Sequence, residues 1–220
     1  MLEIANLNVW YGAAQALFDV SLMVGRGELV VLQGLNGAGK STLLQAIMGL
    51  SPHATGTISY QKKSILGREP HAIARLGLGY VPEDRRLFTG LTVQENLHIA
   101  ARAPDAGGCG KVISIQAQQE RVLALFPALK AMLGRKAAHM SGGEQQMLSI
   151  ARTLMTSPAL LLLDEPCEGI APVLVEAIRD ALLQLKGEGM PMLVAEQNAI
   201  LSSRADRVIT LVAGQIANTP

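Results

Sequence analysis

The sequence predicts an α/β fold with a mainly parallel β-sheet, and two observations carry that prediction. First, residues 34–41 form the pattern G-x-x-x-x-G-K-S between an apolar run at 29–32 and a helical pattern at 41–48. Second, residues 159–163 are an apolar run without a polar face, which is typical of parallel strands covered on both sides. Strands alternate with helices in much of the remaining chain, which favours the same class.

The other core elements follow from alternation, short apolar runs and helix end signals. Residues 2–9 and 16–24 alternate apolar and polar side chains, which predicts two strands with one solvated face in an antiparallel β part. Further strands are predicted at residues 56–60, 78–81, 192–195 and 208–212. Helices are predicted at residues 70–76 and 172–186, the second with proline in its first turn and Gly187 at its end.

The middle of the chain changes character, because it contains helical patterns and no predicted strand. Thr92 and Glu95 fit a capping box that begins a helix. Further helices are predicted at 114–126, at 127–134 and from Ser141, and a glycine-rich surface loop at 104–110. We expect a single domain over 1–220, with a helical subdomain at 84–151 inserted into an α/β core at 1–83 and 152–220.

Composition excludes several classes of protein. The 220 residues carry 19 basic and 18 acidic side chains, a net charge of +1, which leaves no electrostatic footprint for nucleic acid. We expect neither a membrane span nor a signal peptide. Two cysteines without metal-ligand spacing, Cys109 and Cys167, fit a reducing cytoplasm. The apolar content, 49% against 17% charged residues, is high for a free monomer and indicates that part of the surface is buried in an interface.

The glycine loop is a phosphate-binding loop (P-loop). Its glycines let backbone N–H groups close around phosphate oxygens, and the N-terminus of the following helix adds partial positive charge. Lys40 is expected to reach the β- and γ-phosphates, and the Ser41 hydroxyl to bind Mg²⁺. The residues expected to hold the nucleotide here are Asn36, Gly37, Ala38, Gly39, Lys40, Ser41 and Thr42. A plain glycine-rich turn is the alternative, and the strand–helix context argues against it.

Two carboxylates, Asp164 and Glu165, end the second apolar strand. Ligands of open α/β sheets bind at the C-terminal ends of strands, where the P-loop also lies. We expect Asp164 to bind Mg²⁺, directly or through water, and Glu165 to polarise the attacking water as general base. An exposed acidic turn is the alternative interpretation.

A second candidate phosphate site begins at Ser141-Gly142-Gly143-Glu144. Ser141 and Glu144 fit a capping box, so an ordinary helix start is the alternative. That alternative leaves the glycines unexplained, since each costs roughly 1 kcal/mol against alanine in a helix. Glycines are useful where backbone approaches an anion closely, and the natural anion here is a γ-phosphate. Because the P-loop already has its own helix, this second helix is expected to serve the nucleotide of another molecule.

Together these motifs resemble those of ATP-binding-cassette (ABC) ATPases over nearly the whole chain. The P-loop, Ser141-Gly142-Gly143-Glu144-Gln145 and Leu163-Asp164-Glu165-Pro166 occur in that family's order and spacing. More narrowly, the chain resembles the F-type ATP-binding subunit of branched-chain (hydrophobic) amino-acid importers. The segments behind the narrower resemblance are 80–83, 85–88, 91–97, 142–148, 169–172 and 196–198. The resemblance implies a P-loop NTPase core with the helical subdomain of an ABC ATPase.

The resemblance also implies roles that the motifs alone do not identify. Tyr11 matches the aromatic side chain that stacks on adenine, although an ordinary aromatic at a strand end is the alternative. Glu83 stands where most relatives have a glutamine that senses Mg²⁺ and the γ-phosphate, and Gln197 where most have a γ-phosphate-contacting histidine. Ala171 stands where many have an aspartate in the loop that crosses between subunits. These departures recur in the amino-acid-importer branch.

The function implied by the resemblance is ATP binding and hydrolysis, with ATP and Mg²⁺, in an importer of branched-chain amino acids or a related small solute (an amide, urea or an organic acid). The implied partners are integral membrane permease subunits, a second ATPase subunit in a head-to-tail dimer and, indirectly, a periplasmic or extracellular solute-binding protein, without nucleic acid. The implied location is the cytoplasmic face of the cell membrane. The alternatives are a non-transport ABC ATPase of translation or DNA repair, and a small-molecule P-loop kinase, which has no use for the Ser-Gly-Gly motif.

Overall fold

The computed structural model describes residues 1–51, 53–101, 114–197 and 200–217, which form two β-sheets and seven α-helices. The strands are β1 (Leu2–Tyr11), β2 (Ala14–Val24), β3 (Leu29–Gln33), β4 (His53–Tyr60), β5 (Lys63–Ser64), β6 (Leu78–Val81), β7 (Leu160–Asp164), β8 (Met192–Glu196), β9 (Arg207–Val212) and β10 (Gln215–Ile216). The helices are α1 (Lys40–Ile47), α2 (Pro70–Arg75), α3 (Val93–Ala100), α4 (Ile115–Leu125), α5 (Pro127–Lys130), α6 (Gly142–Leu154) and α7 (Pro172–Gly187). The surface loop expected at 104–110, with Cys109, lies outside the described residues, as does Asn198.

The larger sheet confirms the predicted α/β fold. Its strand order is β10-β9-β3-β8-β7-β6, and the five strands from β9 to β6 are parallel. Side chains of β3 alternate between two cores: Leu29 and Val31 pack with the later helices, whereas Val30 and Leu32 pack with α1 and the smaller sheet. Because both faces of the sheet are covered, its central strands have no polar side, as the run at 159–163 indicated.

The smaller sheet is antiparallel, in the order β2-β1-β4-β5. It differs from the prediction in β4, which begins at His53 instead of residue 56, and in two further places. The first hairpin is longer, because Tyr11 pairs with Ala14 and leaves only Gly12 and Ala13 in the turn. Gly12 has a φ of +61°, a conformation that glycine adopts readily. The last difference is β5, whose two residues are too few for an alternating pattern to reveal.

The described part of segment 84–151 contains α3, α4, α5 and most of α6, and none of the strands β1 to β10 lies in it. Thr92 and Glu95 form the expected capping box at the start of α3: Glu95 N–H donates to the Thr92 hydroxyl at 3.2 Å, and Thr92 N–H donates to the Glu95 carboxylate at 2.7 Å. α5 is shorter than predicted and ends before residue 134. After Lys130 the chain continues in turns, and the carbonyls of Leu133 and Arg135 accept hydrogen bonds from the first N–H groups of α3.

Helix α6 connects this helical part to the core. It contacts α3, α4 and α5 on one side and β6 and α7 on the other. Gln118 of α4 donates a hydrogen bond from Nε2 to the Leu154 carbonyl at 2.6 Å, near the end of α6. Since α6 runs without a break across residue 151, the subdomain boundary expected there remains a prediction.

Candidate nucleotide-binding site

The P-loop lies at the C-terminal end of β3 and borders a cleft of about 430 Å³. Gly39 immediately precedes α1 with a φ of +104°, and a Cβ there would lie only 2.7 Å from Leu17 Cδ2. Gly37 has a φ of +79°, and no atom lies within 4 Å of the position of its missing Cβ. The loop backbone is therefore unobstructed on the cleft side, and a glycine-rich loop of this kind fits a phosphate group.

Lys40, the P-loop lysine, is buried and fully engaged. Its Nζ donates hydrogen bonds to the carbonyls of Gly34 at 2.8 Å and Leu35 at 3.2 Å. It also forms an ion pair with Glu165 Oε1 at 2.9 Å, in which the two side chains are only 3% and 7% exposed. The lysine expected to bind phosphate and the glutamate expected to act as base are thus in direct contact.

Asp164 at the end of β7 is held by two hydroxyl groups. Ser41 Oγ donates to Asp164 Oδ1 at 2.9 Å, and the Tyr80 hydroxyl donates to Oδ2 at 3.2 Å. Burial raises the pKa of Asp164, and these two hydrogen bonds counteract that effect. Burial and, after it, the charge of Asp164 raise the pKa of Tyr80, so its hydroxyl stays protonated and donates. Sequence analysis assigned no role to Tyr80, since its proximity to Asp164 depends on β6 and β7 being neighbours.

Glu165 adopts an unusual backbone conformation, with a φ of +45°. Its N–H donates to the Ala195 carbonyl at 2.9 Å, which holds this conformation; such residues cost about 1–3 kcal/mol and cluster at functional sites. Burial raises the pKa of Glu165, but hydrogen bonds from Glu168 and Lys40 outweigh burial and leave it below its ordinary value. The same hydrogen bond to Glu165 is the first cause that raises the pKa of Glu168 to about 7. The pKa of Glu165 is therefore lower than that of Glu168, and Glu165 is the first of the two to ionise as the pH rises.

The cleft has an excess of carboxylates, which favours a divalent cation in it. Glutamates that line the cleft are Glu83, Glu165 and Glu168. Lys40 is the one cation among its described lining residues. The Ser41 hydroxyl and Asp164 carboxylate are hard oxygen donors 2.9 Å apart. Adjacent ligands of an octahedral Mg²⁺ ion, each about 2.1 Å from the metal, lie about 3 Å apart, so this donor pair fits one edge of such an ion.

The start of α6 lies away from this cleft, since none of the described residues that line the cleft comes from 141–144. The capping box is present, with Ser141 N–H 2.7 Å from Glu144 Oε2 and Glu144 N–H 3.4 Å from Ser141 Oγ. The two glycines have different environments. A Cβ on Gly143 would lie 2.3 Å from Leu174 Cδ1, so packing against α7 already explains that glycine. The close approach of a ligand is therefore needed to explain Gly142 only.

Comparison with known proteins agrees with this geometry. The sequence profile of the family described as "ABC transporter" matches residues 17–168. The chain is 44% identical to the "High-affinity branched-chain amino acid transport ATP-binding protein BraG" of Pseudomonas aeruginosa, over 98% of this chain and 91% of that protein. It is 35% identical to the "Probable branched-chain amino acid transport ATP-binding protein LivF" of Archaeoglobus fulgidus, over 99% and 90% of the two chains.

A solved structure extends the similarity to the fold. It is described as the ADP conformation of an ATP-binding cassette of an ABC transporter, with a TM-score of 0.81 and 28% identity over 99% of this chain and 89% of that one. The chain belongs to the ABC transporter family. It is accordingly an ATP-binding cassette ATPase, and the nucleotide expected in the P-loop cleft is ATP.

The other site residues predicted from the resemblance to ABC ATPases lie around the P-loop. Glu83 is exposed and lines the P-loop cleft. Gln197 borders a second cavity of about 610 Å³ on another side of the P-loop. Tyr11 is 43% exposed at the end of β1, and its hydroxyl donates to Gln45 Oε1 at 3.1 Å. Their contacts with nucleotide and metal remain predictions.

Sequence analysis missed several residues that line the cleft, because they come from loops and strand edges without a motif. They are Gln15, Ala16, Phe18, Glu168, Ala213 and Gly214.

The buried ion pair predicts the effect of removing Lys40 on stability. Lys40→Met leaves the Glu165 carboxylate buried and unpaired, so we expect the nucleotide-free ABC protein to lose about 3–5 kcal/mol of unfolding free energy in urea titrations. Lys130→Met, at an exposed lysine of α5, is the matched control. The double variant Lys40→Met/Glu165→Gln should recover most of the loss, because a neutral amide replaces the unpaired charge. A loss below about 1 kcal/mol for Lys40→Met would contradict this account.

Proposed function

We propose that this chain is the ATP-binding and ATP-hydrolysing subunit of an importer for branched-chain amino acids or a related small solute. The observation that carries the proposal is that Lys40, Ser41 and Glu165 line one cleft, with Lys40 paired to Glu165 and Ser41 hydrogen-bonded to the buried Asp164. The names of the relatives BraG and LivF support the solute class. In the proposed assembly, a permease and an external solute-binding protein select the solute, while this chain supplies energy.

Binding of ATP begins at the P-loop. The triphosphate lies along residues 36–42, and Lys40 exchanges its bonds to the Gly34 and Leu35 carbonyls for phosphate oxygens. Ser41 and Asp164 would hold Mg²⁺, which would neutralise phosphate charge beside the cleft carboxylates. The adenine stacks on Tyr11, which lies at the end of β1 next to α1.

Hydrolysis follows once Glu165 is released from Lys40. The freed carboxylate accepts a proton from a water molecule, whose oxygen attacks the γ-phosphorus. The bond between that phosphorus and the β,γ-bridging oxygen breaks, and ADP and inorganic phosphate are the products. Lys40 and the α1 N-terminus stabilise the negative charge on the phosphate oxygens. The ion pair at 2.9 Å thus keeps the base occupied until a phosphate competes for the lysine.

Substitution of the proposed base tests the reaction. Glu165→Gln should keep ATP binding and lower the turnover of ATP by roughly 10²–10⁴-fold, because the amide cannot accept the proton of water. Turnover is measured by phosphate release, and binding by a fluorescent ATP analogue. Glu176→Gln, at an exposed glutamate of α7, is the matched control. Hydrolysis within threefold of wild type in Glu165→Gln would remove Glu165 from this role.

The second ATPase subunit completes each site in the proposal. Ser141 is exposed, Gly142 is half-buried and Gly143 is buried. The start of α6 lies outside its own cleft, and the N–H groups of Gly142 and Gly143 have no acceptor among the described residues. Arg85 lies beside Gly142 with a guanidinium nitrogen 3.4 Å from the position of a Cβ there. Free N–H donors, a helix N-terminus and a cation favour an anion from a partner molecule. A head-to-tail dimer would place the γ-phosphate of one subunit against Ser141 of the other.

Mixing two inactive variants tests the shared site. Lys40→Ala and Ser141→Arg should each be nearly inactive alone. Random pairing makes half of the dimers mixed, and each mixed dimer has one site with an intact Lys40 and an intact Ser141. We expect the mixture to recover up to about a quarter of wild-type ATPase activity if the two sites act independently. Confirmed mixed dimers without any recovery would count against independent shared sites. The experiment is repeated with a related ATPase chain as partner.

The membrane partner is proposed to dock on the helical part near α3. Leu87 packs against the helical core and Leu91 is half-buried, whereas Phe88 is 49% exposed. Its ring also contacts the Arg152 guanidinium, with 5.6 Å from Cζ to the ring centroid. Within the described residues, no helix combines the length and apolarity needed to cross a membrane. We place the chain at the cytoplasmic face of the cell membrane, bound peripherally to permease subunits.

A charge on this surface should uncouple transport from nucleotide binding. In the complex with its permease, Phe88→Glu is expected to lower leucine uptake into vesicles at least tenfold, because a carboxylate desolvated in an apolar groove costs several kcal/mol. ATP binding should stay within twofold of wild type. Met23→Glu, at an exposed apolar residue of the antiparallel sheet, is the matched control. Normal uptake in Phe88→Glu would place the coupling surface elsewhere.

A further inference from the structure

Tyr80 contacts the proposed metal ligand Asp164 through the order of the strands. β6 and β7 are neighbouring parallel strands, and Tyr80 pairs with Leu162. Asp164 follows Leu162 by two residues, so its side chain lies on the same face of the sheet. The Tyr80 side chain therefore lies beside that of Asp164, and its hydroxyl donates a hydrogen bond to Asp164 Oδ2 at 3.2 Å.

The Asp164 carboxylate is thereby held at both oxygens. Ser41 donates to Oδ1 and Tyr80 donates to Oδ2, while the carboxylate itself is 2% exposed. Two donors on opposite oxygens leave the carboxylate little freedom to rotate. This matters for Mg²⁺ because that ion requires a near-ideal octahedral arrangement of oxygen ligands. Groups that orient metal ligands in this way typically contribute 10–100-fold to metal affinity or activity.

We propose that Tyr80 is a positioning residue for the Mg²⁺ of this ATPase, and that its hydroxyl holds the Asp164 carboxylate in the orientation that receives the ion together with Ser41. This inference rests on the proposed function of Asp164 and Ser41 as metal ligands. Tyr80 acts through Asp164 and makes no contact with nucleotide in this scheme. Its removal should therefore weaken metal binding and leave metal-free nucleotide binding unchanged.

The test compares Tyr80→Phe with Tyr60→Phe. Phenylalanine keeps the ring at both positions and removes one hydroxyl. Tyr60 is the matched control because it is 1% exposed, lies in the antiparallel sheet and accepts a hydrogen bond from Gln61 Nε2 at 3.2 Å. Mn²⁺ replaces Mg²⁺ as the probe, and its binding in the presence of a non-hydrolysable ATP analogue is followed by the loss of the free-ion electron paramagnetic resonance signal. A fluorescent ATP analogue in excess EDTA reports nucleotide binding without metal.

Tyr80→Phe should raise the dissociation constant of Mn²⁺ by 10–100-fold and change metal-free nucleotide binding by less than twofold. Tyr60→Phe should change neither quantity by more than twofold. Unchanged Mn²⁺ affinity in Tyr80→Phe overturns the inference, and so does a parallel loss of metal-free binding, which would make Tyr80 a structural residue only. Thermal melting without nucleotide checks the fold. If Tyr80→Phe does not fold, Tyr80→Met replaces it, with a rise in the same direction expected and no rise overturning the inference.

Asp164→Asn separates this inference from the proposed function. If Asp164→Asn weakens Mn²⁺ binding and Tyr80→Phe does not, the metal site stands and the role of Tyr80 fails. If Asp164→Asn leaves Mn²⁺ affinity unchanged, the proposed metal site itself fails, and the inference about Tyr80 fails with it.

Discussion

The ion pair between Lys40 and Glu165 is the interaction on which the site depends, because it joins two distant parts of the chain. Lys40 begins α1 directly after the P-loop, and Glu165 follows β7. The side chains meet at 2.9 Å because β8 alone separates β3 from β7 in the sheet. In a buried environment neither charge is stable without the other. The parallel sheet therefore serves to bring the ends of β3 and β7 to one edge.

The same sheet explains why several carboxylates, among them Asp164 and Glu196, lie close to the P-loop. Parallel strands end at one edge, and polar residues after them gather there. Ser41 and Tyr80 hold Asp164 through hydrogen bonds, and Glu196 at the end of β8 accepts the Cys167 N–H at 2.9 Å. Each buried carboxylate is thus satisfied by donors, as burial of an acceptor requires. A triphosphate adds further negative charge, so ATP and a divalent cation fit this edge together.

The two glycines at the start of α6, Gly142 and Gly143, are explained by different physical constraints. From the sequence, two glycines in a first helical turn indicate a ligand, because they weaken a helix without improving its cap. The structure gives Gly143 a second cause, since Leu174 of α7 occupies the space of its missing Cβ. No packing contact of this kind explains Gly142, which is half-buried and lies beside Arg85, so the argument from a ligand still applies to it. Glycine at position 143 is therefore required by packing between helices, whereas glycine at position 142 is favoured by the close approach of a ligand.

The sequence alone determined the elements that local chemistry specifies. The P-loop, the capping boxes at Thr92 and Ser141, and the fully apolar β7 were predictable, because a few neighbouring residues fix a loop, a helix start or a buried strand. Tertiary structure decided what depends on neighbours distant in sequence. The order of the strands places Tyr80 beside Asp164, main-chain hydrogen bonds join the start of α3 to the chain that follows α5, and packing on α7 requires Gly143. Hydrogen bonds and close contacts between such residues leave no periodic pattern in the sequence, so only the folded chain reveals them.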